Sequence, residues 1–275
     1  MGKLDNLLWR RGVMAIVNAT PDSFYASSRA QSSKAVAERV ERALNEGAAI
    51  LDIGGYSSRP NAADVSAEEE WQRVEMAIAA AREVANDVPI SIDTFRAEVI
   101  RRAYDSFGEI IVNDITAGQG DSKMLPIVAE LKLPYIAMHM RGTPQTMQHL
   151  TQYDNVVDDC IVELQKRLAE ISAVGVERCR IAIDPGFGFA KTVEQNYELL
   201  AGLHRLKALG QPLLVGVSRK SMIYKPLGIT PDEALPATQA IHWEALRQGA
   251  TLLRVHDVAE AVQTVKLYEK YDKGF

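Results

Sequence analysis

Arg180-Ile-Ala-Ile183 is a short apolar run that ends on Asp184-Pro-Gly-Phe-Gly188. It is continuous rather than alternating, as expected of a parallel strand covered on both faces. Pro and Gly stop it at once, and the residue at the stop is a carboxylate. Working outward, the same unit recurs along the chain. Val13-Met-Ala-Ile-Val17 precedes Asn18, Ile50-Leu-Asp-Ile53 precedes the Gly54-Gly-Tyr-Ser-Ser-Arg59 turn, and Pro89-Ile-Ser-Ile92 precedes Asp93. Ile110-Ile-Val112 leads into Asn113-Asp114, and Tyr135-Ile-Ala-Met138 into His139-Met-Arg141. Leu213-Leu-Val215 leads into Gly216-Val-Ser-Arg-Lys-Ser221, and Thr251-Leu-Leu-Arg-Val255 into His256-Asp257.

Helix-period stripes lie between the runs, such as Val36, Val40, Ala43 and Leu44, or Val157, Ile161, Leu164, Leu168 and Ile171. Ser66-Ala-Glu-Glu69 and Thr230-Pro-Asp-Glu233 read as capping boxes that open helices. The strand–helix alternation, with no linker or composition break, predicts one (β/α)8 barrel (TIM barrel) domain over 1–275, its core roughly 12–270. The rival arrangement is an open doubly wound sheet. Polar groups follow every strand, whereas the turns entering strands, Asn45-Glu-Gly47 and Ala173-Val-Gly175, carry only C-cap glycines. In a barrel all those strand ends meet on the one face where such enzymes place their sites.

The chain has 275 residues, and 275 is close to the roughly 250 that such a barrel takes. With 47% hydrophobic residues and 24% charged, it is neither disordered nor low-complexity. A net charge of −5 argues against a nucleic-acid or membrane-surface binder. No apolar run approaches the ~18 residues of a spanning helix. The opening Met-Gly-Lys-Leu-Asp-Asn carries no signal-peptide core, and Cys160 and Cys179 have no metal-type spacing. The expectation is a cytoplasmic protein with reduced thiols.

Three features point to an anionic, phosphate-bearing ligand. Gly216-Val-Ser-Arg-Lys-Ser221 sets a glycine, hydroxyls and two cations at a helix start. Arg254 and His256 are two apart at the last strand, where barrels often bind phosphate. Arg59 adds a guanidinium on a loop. Asp93 and Asp184 end apolar strands, and each needs donors there. A planar heterocycle with adjacent N–H groups could supply two parallel bonds, with Asn113 reading a neighbouring edge. The alternative is internal: a buried Asp pairing with Lys220 or Arg254. No His or Cys cluster suggests zinc, so an oxygen-ligated Mg2+ held mainly by phosphate fits better.

These motifs resemble the dihydropteroate synthase family over roughly residues 12–270. They are Asn18-Ala-Thr-Pro-Asp-Ser-Phe24, Asp52-Ile-Gly-Gly-Tyr-Ser-Ser-Arg-Pro60, Ser91-Ile-Asp-Thr94, Asn113-Asp-Ile115, Met138-His-Met140, Asp184-Pro-Gly-Phe-Gly-Phe189, Gly216-Val-Ser-Arg-Lys-Ser221 and Arg254-Val-His-Asp257. The resemblance implies a folate-pathway transferase, the type sulfonamides target. It would join 6-hydroxymethyl-7,8-dihydropterin diphosphate to 4-aminobenzoate by displacement at the pterin CH2, without a protein nucleophile. It implies a pterin pocket of Asp93, Asn113, Met138, Asp184, Gly216 and Lys220, and a diphosphate site of Asn18, Ser58, Arg59, Arg254 and His256. Asn18 would also hold Mg2+. Phe24, Pro60, Phe189, Lys220 and Ser221 would line the aminobenzoate site, and Asn18, Asp93, Lys220, Arg254 and His256 would carry the reaction. A homodimer is implied as well. Ser58 stands where the family has threonine and Tyr56 where glutamate is frequent. Tyr25-Ala-Ser-Ser-Arg29 replaces a Ser-Asp-Gly-Gly run. Rival functions are a methyltetrahydrofolate:corrinoid methyltransferase barrel and a catalytically silent pterin-binding paralogue.

Overall fold

The strands of the sequence pattern close on themselves. A computed structural model describes residues 2–19, 29–56 and 65–272, with backbone alone at 29–32. Eight parallel strands appear: β1 (Gly12–Asn18), β2 (Ile50–Gly54), β3 (Ile90–Asp93), β4 (Ile111–Asp114), β5 (Tyr135–Met138), β6 (Ile181–Asp184), β7 (Leu214–Val215) and β8 (Leu252–Val255). They pair in the order β6-β5-β4-β3-β2-β1-β8-β7, and an Ile183–Leu213 bridge joins the two edges. The open doubly wound sheet is thereby excluded. Several strands run one or two residues past their apolar run, so Asp93, Asn113, Asp114 and Asp184 sit inside the sheet rather than after it.

Helices alternate with the strands: α1 (Lys3–Leu8), α2 (Arg29–Asn45), α3 (Ala67–Val84), α4 (Ala97–Phe107), α5 (Met124–Leu131), α6 (Val156–Ala173), α7 (Val193–Ala201), α8 (Ser221–Leu227), α9 (Leu235–Gln248) and α10 (Val258–Asp272). Among the described residues no helix is long and apolar enough to cross a membrane. Ser66 caps α3 as expected, its hydroxyl accepting from Glu69 N. The second capping box needs correction. Glu233 does bond the Thr230 N–H and hydroxyl, but that closes a turn, and α9 opens only at Leu235. Pro236 has no N–H for the Asp232 carbonyl, so one helix cannot run through from Pro231.

Strand alternation divides the core in two. Val13, Ala15, Leu51, Ile53, Ile90, Ile92, Tyr135, Ile181, Ile183, Leu253 and Val255 pack outward against the helices. The other parity faces the barrel interior, where Met14, Ile50, Ile111, Ile136, Ala182, Leu214 and Leu252 form an apolar layer. Leu4 and Leu8 of α1 cover that layer from the N-terminal end. Asp5 of α1 pairs with Arg180 (3.4 Å) just before β6, fixing the helix across the barrel bottom.

Candidate active site

Two residues further along the same inward parity the chemistry inverts. Ile50 gives way to Asp52, Ile111 to Asn113, Ile136 to Met138, Ala182 to Asp184, Leu214 to Gly216 and Leu252 to Arg254, while Ser91 precedes Asp93. The pairing registers Asp52–Ser91, Asp93–Asn113 and Met138–Asp184 bring these side chains together at the C-terminal mouth.

Arg254 organises the mouth. Its Nε donates to Asp52 Oδ2 (2.6 Å) and its Nη2 to Asp93 Oδ2 (2.7 Å). Asn113 Nδ2 also donates to Asp52, at 3.1 and 3.3 Å. Asp52 was not among the site residues expected from sequence. It stands second after Ile50 in a strand, and that period was the signal that it faces inward. The internal pairing considered for Arg254 is therefore present, with Asp52 and Asp93 as partners. Burial works against the Arg254 charge, but Asp52 and Asp93 outweigh it and raise its pKa. Burial, together with Asp52 and against Arg254, pushes Asp93 up to about 7. Nη1 of Arg254 has no acceptor among the described residues.

Asp184 accepts from Gly186 N (2.7 Å) through Oδ1, and its Oδ2 has no donor among the described residues. Burial raises its pKa, against the opposing charge of Lys220. Lys220 caps α8 and turns inward, donating to the Phe187 carbonyl (2.6 Å) with its Nζ 4.8 Å from the Phe189 ring centroid. Burial lowers its pKa to about 8. Its neighbour Arg219 has φ 55° and turns away to Asp257 (2.6 and 2.9 Å) and Asp232 (2.7 Å). The basic pair is thus divided between site and surface. A Cβ at Gly216 would lie 3.8 Å from both Lys220 Nζ and the Arg254 stem, an ordinary contact, so Gly216 marks where the two cations converge.

Met138 belongs to an apolar wall with Ile115, Met140, Met147 and Ala190, against which Phe95 and Phe189 pack. His256 holds Ser218 Oγ through Nδ1 (3.1 Å), and burial followed by the Arg254 charge lowers its pKa to about 4. Arg39 of α2 donates to the Ile16 and His256 carbonyls (3.3 and 2.8 Å), tying the ends of β1 and β8 that carry Asn18 and His256. Ser221 opens α8 beside Lys220. Phe24, Ser58, Arg59 and Pro60 lie outside the described residues.

Several strand-end groups do not join the site. Asp114 has outward parity and is consumed by Thr116, Gly118 and the Tyr135 hydroxyl (2.7–2.8 Å). His139 turns outward to Glu163 and Lys191.

The chain matches the pterin binding enzyme family over residues 14–256. It is 42% identical to the dihydropteroate synthase of Haemophilus influenzae over 257 residues, 94% of this chain and 92% of that one. Its structure superposes on Yersinia pestis dihydropteroate synthase in a sulfonamide drug complex with a TM-score of 0.90 at 37% identity, covering 97% and 96% of the two chains. The Xanthomonas albilineans enzyme in complex with 7,8-dihydropteroate superposes with a TM-score of 0.86 at 36% identity, covering 98% and 96%. The carboxylates, amide and lysine that line this barrel's mouth thus stand in a chain that belongs to the dihydropteroate synthases, within the pterin-binding enzyme family.

Proposed function

We propose that this chain condenses 6-hydroxymethyl-7,8-dihydropterin diphosphate with 4-aminobenzoate, giving 7,8-dihydropteroate and pyrophosphate. The observation that carries the reading is the open Oδ2 of Asp184 in a mouth shared with Asp93, Asn113 and Lys220. Adjacent ring N–H groups would donate to that carboxylate, Asn113 would read the next edge, and Met138 would pack on the ring face. Lys220, against the Phe189 ring and next to Ser221 in the chain, would stand between the two substrates with those residues on the aminobenzoate side. The amine nitrogen attacks the pterin CH2, the C–O bond to the diphosphate breaks with its electron pair, and the new ammonium loses a proton. Arg254 keeps Asp52 and Asp93 in register, and its Nη1 is available to the departing pyrophosphate, next to His256.

Asn18 ends β1 with a single neutral oxygen donor, and no group of three or more His, Cys, Asp or Glu side chains poised for a metal occurs among the described residues. That donor set suits Mg2+, which would take its remaining ligands from diphosphate and water. When bound, the ion would neutralise charge building on the leaving group. The chain would act as a cytoplasmic homodimer. Val162, Tyr197 and Leu227 are exposed apolar residues on α6, α7 and α8, which pack in succession, and both cysteines are free thiols. Pyrophosphate release by the purified protein should require both substrates. No release, or release independent of aminobenzoate, would overturn the reading.

A further inference from the structure

Behind the mouth lies a charged group the reaction does not use. Lys191 is 5% exposed, and its ammonium has three acceptors for its three protons: His139 Nδ1 (3.0 Å), the Gly186 carbonyl (3.1 Å) and the Phe189 carbonyl (3.1 Å). An ammonium only donates, so Nδ1 must accept and the imidazole proton sits on Nε2, where it donates to Glu163 (3.0 Å). The turn enclosed by these bonds is unusual backbone, with φ of 70° at Gly186, 80° at Gly188 and 50° at Ala190. A Cβ at Gly186 would come within 2.0 Å of the His139 carbonyl, so the turn is pressed directly against the backbone just past β5. This same turn delivers the Phe187 carbonyl and the Phe189 ring to Lys220.

We propose that Lys191 is a positioning residue for the condensation: held by the His139–Glu163 pair, its ammonium shapes the turn that sets the Phe189 ring for 4-aminobenzoate. The proposal rests on the functional reading above, because it assumes that Phe189 faces that substrate. Burial draws the Lys191 pKa down to about 8, which leaves it charged near neutrality. Burial, with the Lys191 charge beside it, holds His139 at about 4 and therefore neutral.

Lys191→Met keeps the stem and removes all three donors. In the full-length enzyme it should raise the KM for 4-aminobenzoate at least about tenfold, while calorimetric affinity for an unphosphorylated pterin stays within about threefold. An unchanged KM, or equal losses for both ligands, would overturn the proposal. A wild-type protein that releases no pyrophosphate would instead sink the functional reading. Should the variant fail to fold, 15N spectra of the wild-type imidazoles decide. The result expected is a neutral Nε2–H tautomer for His139 from pH 6 to 8, and an Nδ1-protonated ring would contradict the network.

Discussion

The two ends of the barrel interior are built from the same strands, at the same parity, two residues or about 7 Å apart. The lower layer is Met14, Ile50, Ile111, Ile136, Ala182, Leu214 and Leu252, sealed by Leu4 and Leu8. The upper layer is Asp52, Asp93, Asn113, Asp184 and Arg254, of which Asp93 and Arg254 keep partial exposure at the mouth. The lower layer is stable for the ordinary reason that apolar area leaves water. The upper one concentrates three carboxylates where burial raises the pKa of two, Asp93 and Asp184, and the charges of Arg254 and Lys220 with the Gly186 N–H offset part of the cost. A lower-layer truncation should therefore cost stability alone, whereas loss of the upper layer's cation should cost both stability and turnover.

The sharpest break should come from Arg254→Met. It leaves Asp52 and Asp93 facing each other without their cation, a loss of about 3–5 kcal/mol for a buried pair with one partner removed. Turnover should fall at least about a hundredfold. The loss should depend on pH. Arg254 lowers the Asp93 pKa, so without it that pKa rises above its value of about 7; both proteins hold the proton at low pH, and the variant's loss should grow as pH rises through 7. Melting curves at pH 5 and pH 8 check this, and equal losses at both would contradict it.

Leu8→Ala should do the reverse of a site mutation. Leu8 is fully buried, so its truncation costs about 3 kcal/mol and roughly 6 °C of Tm, with both KM values unchanged. A changed KM would show that the layers are coupled. The smallest effect concerns Lys220. With its pKa lowered to about 8, kcat/KM for the pterin diphosphate should fall about fivefold between pH 8 and pH 9. Lys220→Arg should remove that limb, since a guanidinium keeps its charge. A limb that survives belongs to another group, with Lys191 the nearest candidate.

Much of this contrast could be read from residue order. Continuous apolar runs marked all the strands, and the polar groups at their ends marked the active face. What periodicity could not show was where each strand stops, because ladder pairing continues past the last apolar residue, as at Asp93 and Asp184. Parity carries the direction of each side chain. Counted from Ile50 it turns Asp52 inward, and counted from Met138 it turns His139 outward to Lys191. The partners of Arg254 were beyond sequence, since Asp52 and Asp93 lie about two hundred and one hundred and sixty residues away along the chain. So was the choice between Arg219 and Lys220, which the left-handed backbone at Arg219 makes by sending one cation out and the other in.

The claim that the upper layer reads a pterin is tested most directly by calorimetric titration of an unphosphorylated pterin into wild type and Asp184→Asn. An amide presents a donor where the ring presents its own, so affinity should fall at least about thirtyfold, for a loss of about 2 kcal/mol or more. Burial raises the pKa of Asp184, so ionising this carboxyl works against the fold, and the variant should melt no lower than wild type. Binding within about threefold of wild type would contradict the account.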